Sequence, residues 1–224
     1  MTLEMDVIEC LKQAINNVPS YYYCLQNPET RFDKGKCYYV NYHKTFFNPE
    51  RTYMYNLYHQ LMKILENMTT ASFQNFLIDS EIGKKINCPP EEELSLRLFG
   101  KVKSFATIEP DLILHKNQNY NGKDGQLLIL ECKTDPKLDE SDFNYDLYKL
   151  NLYCQKLKFQ NAVFLITNVS PIDVCLMLER YFKLEGLIDI SRSRILLIVK
   201  ESAQSDIEVI DVKKMYCKYK KNND

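Results

Sequence analysis

Four apolar residues followed by a break into charge, Leu127-Leu128-Ile129-Leu130-Glu131-Cys132-Lys133-Thr134, constrain this chain more than any other segment. An unbroken apolar run of strand length fits a strand covered on both faces, and hence one in the middle of a sheet. Side chains alternate along a strand, so Glu131 and Lys133 share one face and Cys132 points to the other. A charge beside a buried strand costs on the order of several kcal/mol unless it is paired or binds an ion. The plain reading is a structural ion pair, a carboxylate and an ammonium two residues apart satisfying each other.

A second break lies upstream, in Ala106-Thr107-Ile108-Glu109-Pro110-Asp111-Leu112-Ile113-Leu114. Proline removes a ladder donor and marks a strand edge or bend. Asp111 follows that bend and opens another apolar run. If the two runs pair through the turn-rich stretch at 117–125, Asp111 and Glu131 come close together. Neighbouring carboxylates repel and raise a pKa unless a cation lies between them. An oxygen-rich pair with room for water suits Mg²⁺.

The rest of the chain predicts what surrounds this segment. Leu3, Val7, Leu11, Ile15 and Val18 recur at helical spacing over 2–18. Residues 19–47 are irregular and tyrosine-rich, with a short strand around Cys37 to Tyr42. Asn48 is a good N-cap, Pro49 suits the first helical position, and Glu50 puts negative charge in the first turn. Met54, Leu57, Tyr58, Leu61, Ile64 and Leu65 then form one stripe. A further helix is predicted over 71–82, then strands at 94–98, 105–115 and 127–134. A helix over 141–159, a strand at 162–167, a helix over 173–184 and a strand at 195–199 follow. The tail after Glu201 is polar and holds Lys213, Lys214, Lys218, Lys220 and Lys221. A solvated terminus is the usual meaning of such a tail, with nucleic-acid contact as the alternative. The order predicts an α/β protein, a mixed central β-sheet flanked by helices, with a parallel strand–helix–strand unit over 127–167.

At 224 residues and 45 % hydrophobic, the chain can bury one sizeable core. We read it as a single domain: an N-terminal helix with irregular decoration at 1–45, a core at 46–200 and a polar tail at 201–224. With 26 % charged residues, 6 Gly and 8 Pro, it is neither disordered nor collagenous. It has no apolar run of membrane-span length, and its acidic N-terminus is unlike a signal peptide. A soluble cytoplasmic protein with no membrane partner is the expectation. Eight scattered cysteines without C-x-x-C read as reduced thiols. The net charge of −1 argues against a protein that coats duplex DNA, though not against a local basic groove.

Taken together, Pro110-Asp111 and Glu131-Cys132-Lys133 on adjacent predicted strands resemble the PD-(D/E)xK, or restriction-endonuclease-like, nuclease superfamily. The resemblance covers roughly residues 46–170 and implies an αβββαβ core. It further implies a nuclease that hydrolyses nucleic acid, DNA first, with Mg²⁺ or Mn²⁺ as cofactor. Asp111 and Glu131 would ligate the metal, with the backbone carbonyl of Cys132 as a further ligand. Glu50 would hold it through water or bind a second ion, and Lys133 would orient the attacking water and help deprotonate it. In some branches a Gln or Lys and a Tyr on the following helix approach the site, and Lys149 and Tyr153 stand one turn apart there. The Gln-x-x-x-Tyr form of the exonuclease branch is not matched, because Lys149 occupies the Gln place. The alternative is a nuclease-like domain that binds or assembles without cutting. Cutting both strands with a single site would favour a homodimer.

Other constellations fall away. His43, His59 and His115 show no zinc spacing, Gly83 and Gly100 form no phosphate loop, and no G-x-S-x-G elbow occurs. The 16 tyrosines offer base-stacking surface, but such abundance is more often half-buried packing.

Overall fold

The computed structural model describes residues 3–23, 30–33, 36–39, 49–67, 76–79, 109–116, 125–184 and 194–223. In chain order these form α1 (Leu3–Asn16), β1 (Thr30–Asp33), β2 (Lys36–Tyr39), α2 (Pro49–Asn67), β3 (Phe76–Asp79), β4 (Leu112–Lys116) and β5 (Gln126–Lys133). Next come α3 (Glu140–Leu152), β6 (Asn161–Thr167), α4 (Pro171–Lys183), β7 (Ile195–Lys200), β8 (Glu208–Asp211) and α5 (Val212–Asn223). Among the described residues, strands β1 and β2 pair with each other, while the other six form one open sheet whose spatial order repeats the chain order. β3, β4 and β5 are an antiparallel meander, β5, β6 and β7 run parallel, and β8 closes the far edge antiparallel to β7. The sheet is therefore mixed and the class α/β, as the order of periods predicts.

Leu127, Leu128, Ile129 and Leu130 are all fully buried, which is why this run lies inside the sheet rather than at its rim. From Leu128 onward alternation sends them into two cores, while Leu127, at the register shift opposite Leu114 and His115, joins Leu128. Ile129, Phe164, Ile166 and Leu197 pack with Phe143, Leu147 and Leu150 of α3, Val174 and Leu178 of α4, and Val212 and Tyr216 of α5. Leu128, Leu130, Cys132, Leu165 and Ile198 pack with Val7, Leu11 and Ile15 of α1 and Leu57 and Leu61 of α2. Each such side chain contributes roughly 1.5–3 kcal/mol over leaving it in water. Tyr23 and Tyr53 are buried as well; the Tyr23 hydroxyl is 3.2 Å from the Ile15 carbonyl and 3.0 Å from the Tyr53 hydroxyl. These two rings are packing, not a stacking surface.

Helix boundaries follow local chemistry. The Asp139 side chain accepts from the Asp142 N–H at 2.8 Å to start α3. Ser170 does the same for Asp173 at 3.1 Å, with Pro171 in the first turn of α4. Asn48, the expected cap of α2, lies outside the described residues.

Three expectations change. Part of the helix expected over 71–82 is strand β3, because Phe76-Leu77-Ile78 pairs with β4, matching Ile78 to Leu114, and tertiary pairing overrides a short local preference. The helix expected over 141–159 ends at Leu152 and continues as a π-helical turn, Tyr153–Leu157, closed by Lys158 at φ 62°. The polar stretch after Glu201 contains β8 and α5, whose Val212 and Tyr216 are buried against α4 and the sheet. The strand expected at 94–98 lies outside the described residues. No described helix is long and apolar enough to cross a membrane. Cys10, Cys132, Cys154, Cys175 and Cys217 are outside any disulfide.

Candidate active site

The β4–β5 register pairs Leu112 with Leu130, so Asp111, one residue before β4, falls beside the end of the apolar run. There the Cys132 backbone N–H donates to Asp111 Oδ2 at 2.7 Å. Glu131 and Lys133 share the face of Ile129, toward α3, and Cys132 joins the core on the opposite face. Just beyond β5, Asn168 donates from Nδ2 to the Thr134 carbonyl at 2.8 Å. Its φ of 65° is a left-handed geometry that asparagine tolerates better than most residues.

Glu131 is 2 % exposed. Its Oε2 accepts from Lys149 Nζ at 2.8 Å and its Oε1 from the Tyr153 hydroxyl at 3.4 Å. Lys149 Nζ also lies 2.8 Å from Asp146 Oδ1 and 5.0 Å from the centre of the Tyr145 ring. Lys133 Nζ lies 3.2 Å from Asp146 Oδ2, 3.3 Å from Glu50 Oε1 and 3.3 Å from the Cys132 carbonyl. Glu50 reaches this point from the first turn of α2, the helix of the opposite layer. All seven residues singled out in the sequence (Glu50, Asp111, Glu131, Cys132, Lys133, Lys149 and Tyr153) thus sit in one cluster.

The electrostatics follow from burial. Desolvation raises Glu131 well above the carboxylate range; Lys149 opposes this, and Asp146 and Asp111 add to it. Asp111 is raised by burial against the pull of the Cys132 N–H and both lysines. Burial also lifts Glu50, to about 7, with Lys133 lowering it and Asp111 and Asp146 raising it. Burial alone would depress Lys133 and Lys149, but the surrounding carboxylates outweigh it and both end raised, hence firmly ammonium. The Tyr153 hydroxyl and Cys132 thiol are pushed up by burial and neighbouring carboxylates, so both stay protonated.

Asp146 is the residue that sequence reasoning missed. It is 3 % exposed and bridges the two lysines, with its Oδ2 at ion-pair distance from Lys133 but without a hydrogen-bond partner. The signal was present: Asp146 stands three residues after Phe143 and three before Lys149, an acid on a face of α3 that otherwise packs inward.

Four carboxylates (Glu50, Asp111, Glu131, Asp146) face two ammonium groups, an excess of two negative charges when all are ionised. All their donors are oxygen, and the buried Asp146 Oδ2, though 3.2 Å from the Lys133 ammonium, makes no hydrogen bond. In charge and donor chemistry the cluster fits a hard divalent cation such as Mg²⁺ or Mn²⁺. No group of three or more His, Cys, Asp or Glu gathered to hold a metal is found among the described residues. The geometry shows why: the two ammonium groups stand between the carboxylates, and Lys149 and Tyr153 engage both oxygens of Glu131. No protein-family model, curated protein or solved structure matches the chain.

Proposed function

We propose that the chain is a divalent-metal-dependent nuclease hydrolysing phosphodiester bonds of nucleic acid, DNA first. The observation that carries this reading is the meeting of Asp111, Glu131 and Lys133 on one face at the end of two adjacent strands, within a cluster of four carboxyl groups and two ammonium groups. The run α2–β3–β4–β5–α3–β6 supports a restriction-endonuclease-like core, because it repeats the helix, three strands, helix, strand order.

Asp111 and Glu131 would hold Mg²⁺ or Mn²⁺, aided by Glu50 and the Cys132 carbonyl. The bound ion would polarise the scissile phosphate and lower the pKa of water. Lys133, firmly ammonium, serves as a donor that orients water and offsets phosphate charge rather than as a base. Glu50, raised by burial to about 7, would have to release its proton before aiding that ion. Lys149 of α3 and Tyr153 of the π-helical turn after it fix the Glu131 carboxylate. A second reading has its own observation: Lys149 already neutralises Glu131, as it would in a domain that binds or assembles without cutting.

The test incubates labelled duplex DNA, single-stranded DNA and RNA with the protein in Mg²⁺, Mn²⁺ or EDTA. Cleavage should need the metal and fall roughly 10²–10³-fold in Lys133→Ala, as for loss of a donor aimed at developing charge. Cleavage that survives EDTA or that substitution overturns the mechanism. No cleavage of any substrate favours the second reading.

A further inference from the structure

The C-terminal helix α5 carries Lys213, Lys214, Lys218, Lys220 and Lys221, all exposed, and no Asp or Glu between Val212 and Asn223. Without these five, the chain would hold 24 Lys and Arg against 30 Asp and Glu, so α5 concentrates positive charge on an otherwise acidic protein. Its opposite face is fixed: Val212 and Tyr216 are buried, and Met215 and Tyr219 pack against the same core. Phe182 of α4 meets the rings of Tyr216 and Tyr219 at 5.3 and 5.6 Å. The lysines therefore project from an anchored helix, not from a loose terminus.

Helix stability does not explain this charge. Cations are favourable in the last turn, which accounts for Lys220 and Lys221. Lys213 and Lys214 stand in the first turn, where a cation is unfavourable; Asp211 offsets only part of this, 3.8 Å from a Lys214 ammonium whose side chain is 86 % exposed. Asp211, Lys213, Lys214, Cys217, Lys218 and Lys221 line a shallow open groove of about 510 Å³. α5 follows the edge strand β8, three strands from β5, so the groove is separate from the carboxylate cluster.

We propose that this lysine face of α5 binds the phosphate backbone of nucleic acid. A membrane surface is the poorer match, because the apolar face an interfacial helix would insert is already spent on the core. A protein partner is poorer too, because the centres of such interfaces are depleted in lysine and enriched in aromatic residues. Lysines presented as point charges suit phosphates, which confer affinity without sequence preference. Such binding needs no cutting and stands apart from the nuclease reading.

The test measures binding of a labelled duplex in EDTA, where metal-dependent cleavage is off, across a salt series. The comparison is wild type against the triple variant Lys213→Gln, Lys218→Gln, Lys221→Gln. Gln and Lys have similar helix propensity, and circular dichroism checks that α5 and the fold persist. Five phosphate contacts predict a log–log salt slope of about −4.5, or roughly a 500-fold affinity loss between about 50 and 200 mM salt. The triple variant should show a slope of about −1.8 and a loss of only about 12-fold over the same range. Unchanged affinity and slope in the variant, or no duplex binding by the wild type, overturns the proposal. So does lysine-dependent binding to phosphatidylserine vesicles that exceeds binding to duplex. If duplex is bound through α5 but neither duplex, single-stranded DNA nor RNA is cut in Mg²⁺ or Mn²⁺, the nuclease reading fails and this one stands.

Discussion

Replacing Lys149 by methionine keeps most of the side chain's length but removes the ammonium 2.8 Å from both Glu131 Oε2 and Asp146 Oδ1. Both carboxylates are at least 96 % shielded from solvent, so the change leaves buried acids without their partner. Breaking a buried ion pair from one side costs about 3–5 kcal/mol. At this chain length that corresponds to a fall in Tm of roughly 6–20 °C. The deficit should depend on pH. Losing the cation raises the folded pKa of Glu131 further above its ordinary 4.5, so the folded state holds a proton the unfolded state has released. Wild type and variant share the unfolded state, so this extra penalty opens as pH rises above the wild type's own raised folded pKa and closes as pH falls back through it. Urea unfolding in EDTA, followed by far-UV circular dichroism because the chain has no Trp, measures both. A deficit below about 1 kcal/mol, or one independent of pH, refutes a Lys149 that neutralises buried carboxylates.

Two further outcomes follow from the same cluster. Glu50 at about 7 must lose its proton to join a metal site, as must the raised Glu131 and Asp111, so Mg²⁺ affinity should fall at least about tenfold per pH unit below 7. Calorimetry in buffers of different ionisation enthalpy reads the released protons, and Glu50→Gln should release one fewer; a pH-independent affinity in the wild type contradicts this. Asp146→Asn should remove the charge that bridges the two ammonium groups and lower kcat of the proposed cleavage about 10–100-fold with little change in KM, as a positioning group does. Asp146→Glu should recover part of the loss, and a change confined to KM counts against the assignment.

The sequence made the sheet legible where burial alone dictates pattern. Leu127 to Leu130 could only be central, and the charges at Glu131 and Lys133 had to leave the core on one face. β3 was illegible because four residues, Phe76–Asp79, carry too little period to separate strand from helix; its partner β4 decides. β8 and α5 were hidden by polarity: only Val212, Met215, Tyr216 and Tyr219 face inward, and five lysines mask that stripe. In the site, Asp111, Glu131 and Lys133 were found because each breaks a strand pattern. Asp146 was missed because an acid within a helix reads as solvated until the packing of α3 turns it inward.

Metal binding is the most direct test of the central claim. Mg²⁺ or Mn²⁺ is titrated calorimetrically into the wild type and into Asp111→Asn, whose amide oxygen can still accept from the Cys132 N–H and so preserve the strand junction. The account predicts a saturable site in the wild type, weakened at least about tenfold in the variant, the scale on which lost support of a metal site is felt. No binding by the wild type, or equal binding by both proteins, contradicts it.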